Sequence, residues 1–161
     1  MDTLAEAAKT LLGAAESRGL KLAAAESCTG GLIAATLARI PGASAVLERG
    51  FVTYSNEAKA EMLGVPPDLI ARRGAVSMEV ALAMAEGALA HAHVDLAIAV
   101  TGVAGPGGGS AEKPVGLVHI AAARKKGPRL HEEMRFGEIG REEVQRKTVA
   151  AAFALLTRVL A

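Results

Sequence analysis

Apolar residues recur along the chain at two spacings, and the change from one to the other lays out its elements. Leu4, Ala8, Leu11, Leu12 and Ala15 repeat at helical spacing and Gly19 supplies a stop, which predicts a helix over Thr3 to Arg18. Lys21 to Ala25 reads as a first strand, Leu32 to Ile40 as a second helix closed by Pro41-Gly42, and Val46 to Tyr54 as a second strand. A short helix starts at Asn56 and ends at Gly64. Pro66-Pro67-Asp68 and Arg72-Arg73-Gly74 punctuate a loop with a helical turn, and Ser77 caps a longer helix reaching Ala92. Asp95 to Thr101 is a short apolar strand of the buried kind, followed by a glycine-rich loop to Pro114. Val115 to Ala123 and Leu130 to Phe136 are two further strands, separated by a polar turn that predicts a hairpin, and a last helix runs from Arg141 to Leu160. No repeat or linker-like stretch interrupts this order. The expectation is one α/β domain over residues 1–161, a three-layer α/β/α arrangement around a mixed sheet of about five strands. The adjacent strand pair near the end argues against an all-parallel sheet.

Composition narrows the class. A chain of 161 residues can bury about two-thirds of its unfolded surface without staples. Its 18 basic and 17 acidic residues leave a net charge of +1, which provides no field for nucleic acid or an anionic membrane, so an anionic ligand must be caught locally. One tyrosine and three phenylalanines offer little surface for stacking bases. The single Cys28 excludes an internal disulfide and a multi-cysteine metal site, which suits a reducing cytoplasm. The stretch from Met1 to Leu12 carries Asp2, Glu6 and Lys9 in an amphipathic pattern, so neither a signal peptide nor a membrane span is expected there and a cytoplasmic protein is. His91, His93, His119 and His131 show no metal-ligand spacing and read as structural or surface residues.

Four segments can carry chemistry. In Glu26-Ser27-Cys28-Thr29-Gly30-Gly31, Ser27 or Thr29 either caps the following helix or places a hydroxyl beside unpaired helix N–H groups that can hold an oxyanion. Cys28 is the rival nucleophile, since a thiol at a helix N-terminus can have a lowered pKa, although a lone cysteine there also fits a small buried hydrophobe. In Tyr54-Ser55-Asn56-Glu57-Ala58-Lys59, a cap at Asn56 puts Lys59 at the third helical position, with its cation at the wrong end of the dipole. With partial burial that favours the neutral amine, the form able to take a proton from serine; the plain alternative is a solvated helix lysine beside an ordinary strand tyrosine. The loop Thr101 to Gly109 lacks the Gly-Lys-Ser/Thr of a P-loop and is followed by a strand, yet its glycines let backbone wrap closely round a ligand. Arg141 and Arg146 open the last helix either as a self-paired solvated face with Glu142 and Glu143 or as a fork for phosphate.

Ala-Glu-Ser-Cys-Thr-Gly-Gly at 25–31, Glu-Arg-Gly-Phe-Val-Thr-Tyr-Ser-Asn-Glu-Ala-Lys at 48–59, Gly-Ala-Val-Ser at 74–77, Thr-Gly-Val-Ala-Gly-Pro at 101–106 and Lys-Pro-Val-Gly at 113–116 resemble the CinA C-terminal domain family, in order and over nearly the whole chain. The resemblance implies a nicotinamide-nucleotide amidohydrolase that converts nicotinamide mononucleotide to nicotinate mononucleotide and ammonia, with no metal or organic cofactor, on a three-layer fold that forms a homodimer. Longer relatives add an N-terminal molybdopterin-binding-like domain, so the chain corresponds to a stand-alone form or to an excised domain. By motif position the nucleophile falls on Ser27 and its activating lysine on Lys59, with Tyr54 relaying or orienting. Thr29, Gly30 and Gly31 would hold the oxyanion, Thr101, Gly102, Ala104 and Gly105 would line the ribose and pyridine, and Arg141 or Arg146 would pair with the 5′-phosphate. Two positions depart mildly from the family pattern: Thr101 stands where serine is usual, and Gly107 where aspartate is also seen. Two other classes compete, a module that binds pyridine nucleotides without turnover and a thiol enzyme using Cys28.

Overall fold

The computed structural model describes residues 2–161; Met1, included in the predicted N-terminal segment, lies outside them. Five strands, β1 Leu22–Glu26, β2 Leu47–Val52, β3 Leu96–Gly102, β4 Leu117–Arg124 and β5 Arg129–Arg135, form one sheet in the order β2-β1-β3-β4-β5. β1 runs parallel to β2 and β3, whereas β4 is antiparallel to β3 and to β5. The sheet is therefore mixed, with the predicted hairpin at one edge. Six helices cover it: α1 Thr3–Ser17, α2 Leu32–Ala38, α3 Asn56–Leu63, α4 Pro67–Arg73, α5 Met78–His91 and α6 Arg141–Leu160. The expected loop after Gly64 contains α4 as a helix of its own, started by Pro67 at its first position and closed at Gly74.

Alternation along the strands sorts the helices into two layers. Leu22, Ala24, Leu96, Ile98, Val100, Val118, Ile120 and Ala122 face α1, α2 and α6 in one core. On the other face the apolar residues that β1, β3 and β4 turn to α3, α4 and α5 are alanines, at 23, 25, 97, 99, 121 and 123, with Thr101 and His119 following them towards the carboxyl end of β3. The small side chains let α5 settle close to the sheet, and α3 docks on α5 at Gly87, where a Cβ would overlap the Leu63 carbonyl.

The sheet order also places the site. From β1 the chain passes through α2 on one face to β2, then returns through α3, α4 and α5 on the opposite face to β3. The carboxyl ends of β1 and β3 are therefore neighbours whose outgoing segments diverge, the position where open α/β sheets bind ligands. No helix among the described residues is long and apolar enough to cross a membrane.

Candidate active site

β1 is buried along its whole length, yet it ends in a carboxylate. Three donors from the next eight residues satisfy Glu26: Thr29 Oγ1 donates to Oε1 at 2.5 Å, Ile33 N to Oε1 at 2.8 Å and Ala34 N to Oε2 at 3.0 Å. A strand residue thus caps α2, with negative charge at the positive end of the helix. Gly30 (φ 58°) and Gly31 (φ 109°) provide the left-handed backbone that this reversal requires. The cap changes the expected role of the turn. The first N–H groups of α2 are engaged by the protein itself, Ile33 and Ala34 by Glu26 and Leu32 by the Thr29 carbonyl, and Gly30 N donates to Ser27 O. Thr29, Gly30 and Gly31 shape the turn and are absent from the cavity wall. Of the two N–H groups next along from Cys28, Gly30 is bonded and Thr29 reaches no backbone acceptor.

Ser27 lies one step past the end of β1 and is buried. Its partner comes from α3. Ser55, not Asn56, is the cap, its Oγ accepting from Ala58 N at 3.0 Å, so Lys59 occupies the fourth helical position instead of the third. Its side chain turns back to the start of the helix and is 1% exposed. Nζ lies 2.9 Å from Ser27 Oγ and donates to the carbonyls of Thr53 at 2.9 Å and Tyr54 at 3.3 Å. Lost hydration holds the amine below the ordinary lysine value, with nearby Cys28 acting weakly the other way. A neutral amine has two hydrogens. With both directed at carbonyl oxygens, its lone pair faces the serine hydroxyl.

Cys28 is separated from its neighbour by environment. Burial pushes its thiol up to about 12, so it stays protonated, the reverse of what an activated thiolate needs. Its carbonyl accepts from Gln145 Nε2 of α6 at 3.1 Å.

Ser27 and Lys59 open on a cavity of about 290 Å³. One wall is Tyr54 and Asn56, another Ala75 and Val76, and a third the glycine-rich loop from Thr101 to Gly108. Thr101 Oγ1 donates to Ala75 O at 2.9 Å and ties two of these walls together. Gly102 must be glycine, because a Cβ would stand 2.7 Å from the Leu117 carbonyl. Arg141 closes the rim, its Nη1 donating to Gly105 O at 2.7 Å and Nη2 to Tyr54 Oη at 2.6 Å. Tyr54 therefore meets Lys59 through its carbonyl, while its ring hydroxyl is engaged with Arg141 and its side chain is outside the Ser27–Lys59 contact. Among the described residues the cavity is lined by no carboxylate and no histidine, so Lys59 is the base available and Arg141 the permanent charge.

Arg146 is elsewhere. It lies 3.8 Å from Asp2 and 3.9 Å from Glu143 on the surface. Five residues on from Arg141 it is rotated by about 140° round α6, so the two arginines cannot serve one site. The structure also joins two residues that sequence spacing leaves apart: His119 Nδ1 and His131 Nε2 are 2.9 Å apart on β4 and β5, with rings stacked at 22°. Glu26, Thr53 and Gln145 contribute to the site without having stood out in the sequence. A carboxylate ending an alanine strand is the one signal that could have found Glu26.

The model of the CinA C-terminal domain matches residues 4–160. A CinA-like protein of Syntrophobacter fumaroxidans is 52% identical over 89% of this chain and 33% of its own length, and one of Synechococcus sp. is 49% identical over 99% and 38%. The chain thus spans roughly a third of these curated relatives. Among solved structures, the competence/damage inducible protein CihA from Agrobacterium tumefaciens superposes with a TM-score of 0.98 at 50% identity, covering 100% of this chain and 98% of that one. The competence damage-inducible protein A (ComA) from Klebsiella pneumoniae gives 0.93 at 38% identity, over 99% and 98%. With a family match over nearly all its length and these neighbours in fold and sequence, the chain belongs to the CinA C-terminal domain family.

Proposed function

We propose that the chain is an amidohydrolase acting on the carboxamide of nicotinamide mononucleotide, with Ser27 as nucleophile and Lys59 as its base. The observation that carries this reading is the buried Lys59 amine, 2.9 Å from Ser27 Oγ, with its hydrogens aimed at two carbonyls. Lys59 takes the Ser27 proton as Oγ attacks the carboxamide carbon. The tetrahedral oxyanion is met by backbone N–H of the turn, where the N–H groups of Cys28, a wall residue, and of Thr29, the next residue along, have no backbone acceptor. The C–N bond breaks, ammonia leaves with the proton from Lys59, and an acyl ester on Ser27 remains. Water, giving a proton to Lys59, then cleaves the ester; the proton returns to Ser27 Oγ and the nicotinate product is released.

A cavity lined with Arg141 and no carboxylate suits an anionic nucleotide. Arg141 keeps N–H groups beyond the two already bonded, enough to pair with a 5′-phosphate. The test is ammonia release from nicotinamide mononucleotide by the purified protein and by Ser27→Ala. Release by the wild type that Ser27→Ala abolishes is the expected result; no release, or undiminished release by the variant, removes the proposal.

A further inference from the structure

Every carbonyl from Glu26 to Thr29, the turn that carries Ser27, has a donor. Glu26 O accepts from Thr53 N, Ser27 O from Gly30 N and Thr29 O from Leu32 N, all within the backbone of the sheet edge and the turn. Cys28 O differs. Its donor is a side chain from the far end of the sequence, Gln145 Nε2 on α6. An acceptor-only carbonyl fixes which end of the amide faces it, so this is the amide nitrogen.

The Cys28–Thr29 peptide is trans, so its N–H points opposite to its carbonyl. Whatever pins Cys28 O therefore aims Thr29 N–H, a free donor of the turn. Gln145 stands one helical turn after Arg141 on the same face of α6, and Arg141 is bonded to Gly105 O and Tyr54 Oη. One face of α6 thus holds the nucleophile turn, the glycine-rich loop and the rim in register. Gln145 does not line the cavity and touches no reacting atom.

We propose that Gln145 is a positioning residue for catalysis: through the Cys28 carbonyl it sets the orientation of the peptide whose N–H meets the oxyanion, and with it the aim of Ser27. This rests on the reading of Ser27 as an acyl-forming nucleophile. The residue acts in the transition state, where the oxyanion is short of its donor if the peptide tilts, and not in holding the nucleotide.

The test compares Gln145→Met, which keeps length and packing without a donor, with Gln145→Lys, which keeps a donor. Three quantities are measured for each: kcat and KM for ammonia release from nicotinamide mononucleotide, the rate at which a small sulfonyl fluoride labels Ser27 by intact mass, and the thermal midpoint. Gln145→Met is expected to lower kcat and the labelling rate by roughly ten- to a hundredfold, with KM within about twofold and the midpoint nearly unmoved, as for a reacting group displaced by a fraction of an ångström. Gln145→Lys is expected to recover most of both rates. Unchanged rates in Gln145→Met overturn the proposal. So does a rise in KM with normal labelling, or a Gln145→Lys as slow as Gln145→Met, which would assign the effect to packing. Labelling of wild-type Ser27 without ammonia release would refute the proposed substrate while the labelling comparison still decides the role of Gln145. A wild type that is not labelled at all overturns both.

Discussion

Two pairs of side chains lie on the α5 face of the sheet, on either side of the segment Ala75 to Ser77, and on first description they are alike. Lys59 and Ser27 are 2.9 Å apart, and so are His119 and His131. Desolvation lowers the pKa of the lysine and of both histidines. They differ in what the base is set against. Glu133 Oε1, 4.0 Å from His119 Nε2, favours a proton on that nitrogen, so His119 Nδ1 accepts from His131 Nε2–H and each imidazole faces the other instead of a hydroxyl. Neither has a nucleophile. In its neutral form Lys59 directs its two hydrogens at the carbonyls of Thr53 and Tyr54, which leaves its lone pair for a hydroxyl at the wall of a cavity. A shifted pKa and a short contact occur in both pairs; a hydroxyl set against the base at the wall of a cavity occurs in one.

The largest expected effect separates the pairs directly. Lys59→Met should lower amide hydrolysis by at least about a thousandfold, as loss of a base from a nucleophile pair does, while His131→Gln leaves kcat within a few-fold. Comparable losses in the two variants would erase the distinction. Next comes the pH profile. The proposed mechanism uses the neutral amine, so log kcat/KM should rise with pH on an acid limb of unit slope whose pKa lies below the ordinary 10.5 of lysine, because burial lowers it. The limb should stay in place in His131→Gln and vanish in whatever residual activity Lys59→Met retains. A limb that moves with His131 would transfer the titration to the imidazoles.

Smaller effects sharpen the site's edges. Cys28→Ala should keep most activity, and the wild-type thiol should react slowly with alkylating reagents at pH 8, far below its value of about 12. Rapid alkylation that stops turnover would restore Cys28 as the nucleophile. Last is Thr53, whose carbonyl serves Lys59 while its buried Oγ1 has no partner. Thr53→Val keeps the carbonyl and removes the orphaned hydroxyl, so it should raise stability by about 1 kcal/mol in denaturant titration and leave kcat unchanged. Destabilisation would show that the hydroxyl is satisfied after all.

Much of this is legible in the sequence, for definite reasons. Helical and strand periodicities differ enough to place every strand and all but one helix, with ends moving by one or two residues; α4 reads as no more than a helical turn in a loop because its short segment is dominated by proline, arginine and glycine. The motif pair Ser27 and Lys59 is legible, but not which atoms face each other. The cap at α2 escapes sequence reading because its carboxylate comes from a residue outside the helix, seven positions before Ile33. Arg146 competes with Arg141 in the sequence because one-dimensional spacing does not show which way a helix faces. Gln145 leaves no local trace, since its partner is 117 residues away.

Gly87 bears on the Ser27–Lys59 distance from across the second layer. The helix that carries Lys59 rests against α5 where a methyl group is missing, and Leu63, at the end of that helix, fills the gap. The reach of Lys59 is thus gauged by an absent carbon: a side chain at position 87 would lift α3 from its seat and lengthen the contact on which the proposed proton transfer depends, with no change to any residue in the cavity.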